Sequence, residues 1–543
     1  MFKKYHLLIL LLICAFSEIT AVNYYYYVQF KDKNNSPYSV GNPSAYLSQR
    51  ALDRRAFFKI PIDNTDLPVN PGYVAQVANF VTVHARTKWL NGVTVQTTDP
   101  NQINRVKNLE CVSFVELTGQ TTASGSLAPR QKLPQQTNDT HYGSAATQIN
   151  QLHGAILHNN GYRGQGIQVA VIDGGFLNVN TNPGLDSLRN EGRLLGTKNF
   201  VSPQVNVFTE IIHGANVLST MAGNLKDSYV GTAPKASYLL LQSEANNTET
   251  RVEPDLWISA IEYADSAGVD VSTSSLGYTT FDNTTMNFTY NDMNGKTARA
   301  SIAASMAVDK GILVINSAGN DGNKPWHYIG VPADAEKIIT IGAVTNTGVS
   351  SAFSSFGPSA DGRVKPELCA MGTASALISP EGTVTYGNGT SYSTPIFAGL
   401  AACFLQAAKE KTPHLSLAEL KEILIKSGSL YAAPTAQMGY GIPNFETAYN
   451  QLINIATKYS THQEEVKIYV NKNDNTIKII IRDNTVGKVH ASLFNATGNL
   501  IMKNSYHQSS FEMSTRSLSS GVYILHLDFN GKTVSRKLMI LNV

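Results

Sequence analysis

Asn388-Gly389-Thr390-Ser391-Tyr392-Ser393-Thr394-Pro395 is followed by Ile396, Phe397, Leu400, Ala401, Phe404 and Leu405. These apolar residues recur at roughly helical spacing, so the stretch predicts a loop running into a buried helix. Gly387 and Gly389 let the incoming backbone turn tightly and allow a substrate to approach it. A serine at the helix start holds its hydroxyl at the positive end of the peptide dipoles, where negative charge is stabilised. Acyl transfer needs that placement, because its tetrahedral intermediate carries an oxyanion. Pro395 is expected in the first turn, where a missing N–H costs least. Taken alone, the stretch also reads as a polar loop capping a buried helix, since serine caps are common. A base, an orienting acid and an oxyanion donor elsewhere in the chain would decide between the two readings.

Val169-Ala170-Val171-Ile172-Asp173-Gly174-Gly175 reads as a buried strand of parallel type. Asp173 then stands at its carboxyl end, where open α/β sheets place their sites. A loop aspartate bonding its own turn is the plainer alternative. His213-Gly214-Ala215-Asn216-Val217-Leu218-Ser219-Thr220-Met221-Ala222-Gly223 predicts a helix with His213 at its start and Gly223 as its stop. A neutral imidazole there can take a proton from serine when a carboxylate fixes its tautomer. Ile312-Leu313-Val314-Ile315-Asn316-Ser317-Ala318-Gly319-Asn320-Asp321-Gly322 reads as a strand and a tight turn. The Asn320 side-chain amide can donate to an oxyanion, although a turn asparagine is the commoner use of the residue.

In the order Asp173, His213, Asn320, Ser391, the four segments resemble those of the subtilisin-like serine proteases, or subtilases. The resemblance extends over roughly residues 140–450. Gly231-Thr232-Ala233-Pro234, Ser275-Leu276-Gly277, Ser354-Ser355-Phe356-Gly357-Pro358, Lys365-Pro366-Glu367 and Gly439-Tyr440-Gly441-Ile442-Pro443 carry it further. It implies a three-layer α/β fold with a mainly parallel sheet. It also implies that Ser391 attacks the scissile carbonyl, that His213 is the base and that Asp173 orients His213. Asn320 and the Ser391 N–H would form the oxyanion hole. Ser275-Leu276-Gly277 and Ser317-Ala318-Gly319 would flank an extended substrate, pairing with it as an added strand. Their small and apolar character suits an apolar pocket for the residue before the scissile bond, and no acidic pocket floor can be assigned. The departures are Tyr392 in place of the usual methionine, Ser393 in place of alanine and Ala215 in place of threonine. Tyr392 removes an oxidisable thioether beside the nucleophile and can also crowd the leaving-group side of the cleft. The expected function is a secreted serine endopeptidase. The alternatives are a subtilase-fold surface or binding protein with little hydrolysis, and an esterase using the same triad. No cofactor is required for the chemistry. Many subtilases carry structural calcium, but no Asp-x-Asp-x-Asp-Gly type of loop is visible and no metal ligand is assigned.

At 543 residues the chain is long enough for two to four domains. A net charge of +3 and a charged fraction of 15% argue against a nucleic-acid partner. Lys3 and Lys4 precede the apolar run 7–16, so residues 1–21 read as a signal peptide cleaved after Ala21. No other run reaches membrane-spanning length. Cys14 would leave with the signal and Cys111 lies in the N-terminal region, while Cys369 and Cys403 read as buried free thiols, with a mutual disulfide as the alternative.

Residues 22–120 alternate short strands and helices and resemble the subtilase prodomain, a small α+β unit. The resemblance implies that it acts as an intramolecular inhibitor. Residues 121–140 are polar and rich in Thr, Ser, Gln and Pro, an exposed linker suited to maturation cleavage. The peptidase domain is expected over residues 141–450, with a second polar linker over 451–464. Residues 465–543 alternate and turn, with hairpin signals at 495–498 and at Asn530-Gly531, and predict a small all-β sandwich. Leu493-Phe494-Asn495-Ala496-Thr497-Gly498, Leu518-Ser519-Ser520-Gly521-Val522-Tyr523 and Lys537-Leu538-Met539-Ile540-Leu541 resemble the sorting domains of Bacteroidetes proteins exported by the type IX secretion system. The usual Pro-Asn-Pro opening is missing. The partners implied are protein or peptide substrates, the chain's own prodomain and the secretion machinery. The protein would end at the cell surface or outside the cell.

Overall fold

The computed structural model describes residues 22–121, 142–209, 211–245, 248–464, 466–482 and 487–541. The signal peptide and residues 122–140 of the first linker lie outside the described residues.

Residues 23–121 form a four-stranded antiparallel sheet in the order Thr82–Thr87, Gly92–Thr97, Asn23–Phe30, Val112–Thr121. Helices Gln49–Phe57, Pro71–Ala78 and Gln102–Lys107 accompany it. Ser48 caps the first helix by accepting the Ala51 N–H at 3.1 Å, and Asn70 caps the second through the Gly72 N–H at 2.8 Å. Val28, Phe30, Val77, Val93, Val95 and Val106 make up its small core. This is the α+β unit the alternating pattern predicts.

The next part of the chain is built on a seven-stranded parallel sheet. Its order is Leu368–Met371, Ile339–Val344, Leu313–Ser317, Val271–Ser274, Gln168–Asp173, Ser237–Gln242, Leu194–Asn199. Val169, Ala170, Val171 and Ile172 are all fully buried, as a strand covered on both faces requires. The Gln168–Asp173 strand has later strands on both sides, so the chain reverses its direction of addition there. Such a switch point opens a crevice beyond the carboxyl ends of the strands. Helices His213–Ala222, Val252–Ala267, Arg299–Asp309 and Thr390–Lys411 pack on the sheet.

Pro395 lies inside the Thr390–Lys411 helix, five residues beyond its first position, and not in the first turn as the sequence suggested. Its ring leaves the carbonyl of Ser391 without the usual helical donor. The Ser275 hydroxyl donates to that carbonyl instead, at 2.9 Å. The proline is thus accommodated by a hydroxyl from a neighbouring strand end.

Residues 451–464, expected as a linker, continue the helix Phe445–Glu464. Phe445, Ala448, Tyr449 and Leu452 are buried at helical spacing, a period that the polar residues between them obscure.

From residue 466 the chain forms two antiparallel sheets. One contains Val466–Asn471, Thr476–Ile481 and Ser510–Ser514, and the other Leu500–Tyr506, Val489–Asn495, Gly521–Phe529 and Lys532–Ile540. Ile477, Ile479, Leu493, Leu525 and Leu527 share one core, which makes the unit a sandwich. Both predicted hairpins form, through 495–498 and through Asn530-Gly531. Leu500–Tyr506 and Ser510–Ser514 had no sequence prediction. The first is mostly exposed and shows no clear apolar alternation, whereas the second is short but alternates, with Phe511 and Met513 buried.

Candidate active site

A cleft of about 440 Å³ opens at the switch point of the parallel sheet, and Asp173, His213, Asn320 and Ser391 all line it. Each comes from the element its sequence predicted. Asp173 ends the Gln168–Asp173 strand, and His213 is the first residue of the His213–Ala222 helix. Asn320 follows the Leu313–Ser317 strand, and Ser391 is second in the Thr390–Lys411 helix.

Asp173 is fully buried, and its Oδ1 lies 2.8 Å from His213 Nδ1. The same oxygen accepts the Gly174 N–H at 2.8 Å. A carboxylate only accepts, so Nδ1 carries the imidazole proton and Nε2 is left as the basic nitrogen. His213 is partly exposed to the cleft and Ser391 is 7% exposed.

The Asn320 amide is held by Thr390. Its Oδ1 accepts the Thr390 N–H at 2.9 Å and the Thr390 hydroxyl at 3.1 Å. A backbone N–H can only donate, so the oxygen must face Thr390. That fixes Nδ2 as the donor Asn320 can offer elsewhere. Gly389, just before the helix, has φ of +150°, a conformation side-chain-bearing residues rarely adopt. The Ser391 N–H belongs to the first turn and has no intrahelical acceptor. Asn320, with its amide NH2 free to donate, and the helix-terminal Ser391 thus line one cleft.

Ser275, Leu276, Gly277, Ser317 and Gly319 line the cleft. Ala318 does not. It is buried and packs with Ile329 and Ala333, because alternate residues of an extended segment face opposite ways. Tyr392 is also not a cleft residue. It is 3% exposed, and its ring lies where a Cβ on Gly387 would meet it at 2.4 Å. Its ring centroid is 6.4 Å from that of His213. The tyrosine is buried beside the histidine.

Sequence reasoning missed two glutamates. Glu244 and Glu249 line the same cleft. Glu244 follows the Ser237–Gln242 strand, whose last residue pairs with Asp173. Its Cβ would lie 3.5 Å from a Cβ placed on Gly174. Tyr278 and Ser243 hydroxyls donate to its Oε1 at 2.5 and 3.1 Å. Burial pushes its carboxyl up, to about 7. The two hydroxyls oppose that rise and Asp173 adds to it. Position at the carboxyl edge of the sheet was the available signal, but no motif surrounds either residue.

The described residues include no group of three or more His, Cys, Asp or Glu side chains that could hold a metal ion. Cys111, Cys369 and Cys403 are free and buried. No helix among the described residues is long and apolar enough to cross a membrane.

Residues 164–441 match the subtilase family, residues 25–138 the peptidase S8 propeptide domain of Bacteroidota and residues 467–541 the secretion system C-terminal sorting domain. Subtilisin NAT of Bacillus subtilis subsp. natto is 30% identical over 306 residues, which are 55% of this chain and 70% of that protein. Subtilisin of Bacillus pumilus is 30% identical over the same length, covering 97% of it. The solved structure of the prenylagaramide maturation protease PagA aligns with a TM-score of 0.44 and 21% identity, over 55% of this chain and 98% of that one. A parallel-sheet fold with subtilisins as relatives defines a serine endopeptidase. The chain belongs to the subtilase family, and it carries that family's propeptide and a C-terminal sorting domain. The sorting domain indicates export, to the cell surface or the medium.

The propeptide unit sits on the Val252–Ala267 helix of the peptidase domain. Glu262 accepts the Lys88 N–H at 2.7 Å, the Trp89 N–H at 3.0 Å and the Thr87 hydroxyl at 2.5 Å. Trp89 is buried in a cluster with Trp257, Ile258 and Ile261. Asp265, fully buried, bonds Arg54 at 2.5 Å, Arg55 at 2.8 Å and Lys88 at 2.7 Å. Burial alone would raise the Asp265 carboxyl, but Lys88, Arg55 and Arg54 outweigh it and hold it well below the usual carboxylate range.

Proposed function

We propose that Ser391, His213 and Asp173 form the catalytic triad, with Asn320 Nδ2 and the Ser391 N–H as the oxyanion hole. The single observation that carries this reading is the 2.8 Å bond from His213 Nδ1 to buried Asp173, in a cleft shared with Ser391 and Asn320. In the reaction, Ser391 Oγ attacks the scissile carbonyl as His213 Nε2 takes its proton. The imidazolium, stabilised by Asp173, then protonates the leaving amine, and water repeats the sequence to release the acyl group. Substrate backbone pairs with the edges at Ser275–Gly277 and Ser317–Gly319. The propeptide blocks the cleft until cleavage within residues 121–140 frees it. All groups needed for this chemistry come from the chain itself.

Asn320→Ala tests the oxyanion assignment. Turnover should fall roughly 100- to 1000-fold with little change in KM, because the amide acts on charge that exists only in the transition state. A large rise in KM at unchanged turnover would contradict it. The triad also fixes the sign of the pH dependence. Activity should decline in acid, since protonated His213 cannot accept the serine proton. A flat profile from about pH 5 to about pH 8 would remove His213 as the base.

A further inference from the structure

The charge lining of the cleft is one-sided. Its charged side chains are Asp173, Glu244, Glu249 and Asp321, with His213 the one group able to become a cation. No lysine or arginine among the described residues lines it. Asp173 is committed to His213, and Asp321 is paired with Lys324 at 2.8 Å. Among the described residues, no lysine or arginine is paired with Glu244 or Glu249. Glu244 is fixed in place by Tyr278, which is itself 1% exposed, and stands against Gly174 beside the Asp173–His213 pair. Glu249 is exposed at the rim. Buried Glu253 accepts the Ala245 N–H at 3.1 Å and the Thr250 N–H at 2.8 Å through its side-chain oxygens. The Glu249 N–H donates to Asp282 at 3.1 Å, and the Asp282 N–H donates back to the Glu249 carbonyl at 2.8 Å. Two carboxyl groups are thus held on one wall of the substrate cleft, with no lysine or arginine among the described residues lining it.

From this geometry we infer that Glu244 and Glu249 are specificity-determining residues, and that the cleft selects peptides with a lysine or arginine close to the scissile bond on its acyl side. The inference rests on the triad reading, since it takes the ligand of this cleft to be a peptide. A cationic side chain laid along that wall supplies the charge the protein leaves out. Electrostatic complementarity of this kind gives discrimination between substrates more than raw affinity. The chain's own linker agrees. Across residues 121–140, where maturation cleavage is proposed, the only cations are Arg130 and Lys132, in Ala128-Pro129-Arg130-Gln131-Lys132. Burial raises the carboxyls of Glu244, to about 7, and of Glu249, to about 8, and a cation brought beside them favours their ionised form.

The test uses processed full-chain enzyme and fluorogenic alanine tetrapeptides carrying Arg, Ala or Glu at each position in turn. At one or more positions kcat/KM should rank Arg above Ala above Glu, with Arg over Glu by roughly tenfold or more. In Glu244→Gln/Glu249→Gln that ratio should collapse toward one. In Glu249→Lys, a change at the exposed rim, Glu peptides should gain on Arg peptides. Fluorophosphonate labelling of Ser391 reports whether each variant retains a folded site. Equal rates for Arg and Glu at every position would overturn the inference while leaving the triad intact. An Arg preference that persists unchanged in a labelled double variant would also overturn it. Absence of both peptide turnover and labelling in wild-type enzyme would overturn the triad reading and this inference together.

Discussion

Ser391→Ala should lower kcat on a peptide substrate by about 10⁶-fold and leave KM within a few-fold. That is the order of loss known for subtilisin, a relative of this chain, when its nucleophile is removed. It is large because the triad acts as a unit. Once Oγ is gone, His213 has no proton to take, and the Asp173–His213 bond has nothing to orient. The oxyanion donors remain, since Asn320 is held by Thr390 and not by Ser391. A residual acceleration of roughly 10³ to 10⁴ over water should therefore survive. Processing within the linker should stop in the same variant, so the precursor should accumulate at its unprocessed mass. Full activity in a chain confirmed to carry alanine at 391 would remove the nucleophile assignment.

The second large effect lies at the propeptide interface. Asp265→Ala would strand Arg54, Arg55 and Lys88, three cations brought against one buried carboxylate. Breaking a buried ionic cluster by removing one member costs about 3–5 kcal/mol, because the remaining charges lose their partner without regaining water. That corresponds to propeptide binding weakened by roughly 10²- to 10³-fold or more. The lower end is favoured, since Arg55 keeps Asp66 at 2.9 Å and Arg54 keeps the Lys310 carbonyl at 3.2 Å. The measurement is inhibition of processed enzyme by added propeptide. Asp265→Ala enzyme should need far more propeptide for half-inhibition, with kcat/KM retained. An unchanged inhibition constant would mean that the Trp89 contact and the Glu262 bonds carry the interface without this cluster.

Much of the fold could be read from the chain because its signals are local. A run such as Val169–Ile172 ending in Asp173 declares a buried strand whatever surrounds it. The Asn530-Gly531 hairpin is equally local. Asp173, His213, Asn320 and Ser391 each sit at an element boundary marked by glycine or by a change of hydrophobic period, so they stood out. Glu244 and Glu249 did not, because their meaning depends on which strand lies beside Asp173. That pairing of the Ser237–Gln242 and Gln168–Asp173 strands is a tertiary fact. Pro395 was misplaced for a related reason. A proline within a helix is costly unless a side chain satisfies the carbonyl it frees, and Ser275, 116 residues away, does so. Ala318 and Tyr392 belong to the motifs of the cleft, yet both side chains are buried, a fact set by the residues packed on them. The interface carboxylates Glu262 and Asp265 lie in no motif, and their role depends on the propeptide packed against them.

Reaction of the processed protein with a fluorophosphonate, followed by mass mapping of the modified peptide, tests the catalytic assignment most directly. A single adduct on Ser391 is predicted, formed slowly or not at all in Asp173→Asn, where the His213 tautomer is no longer fixed. An adduct on a different serine, or full peptide cleavage with Ser391 unmodified, would contradict it.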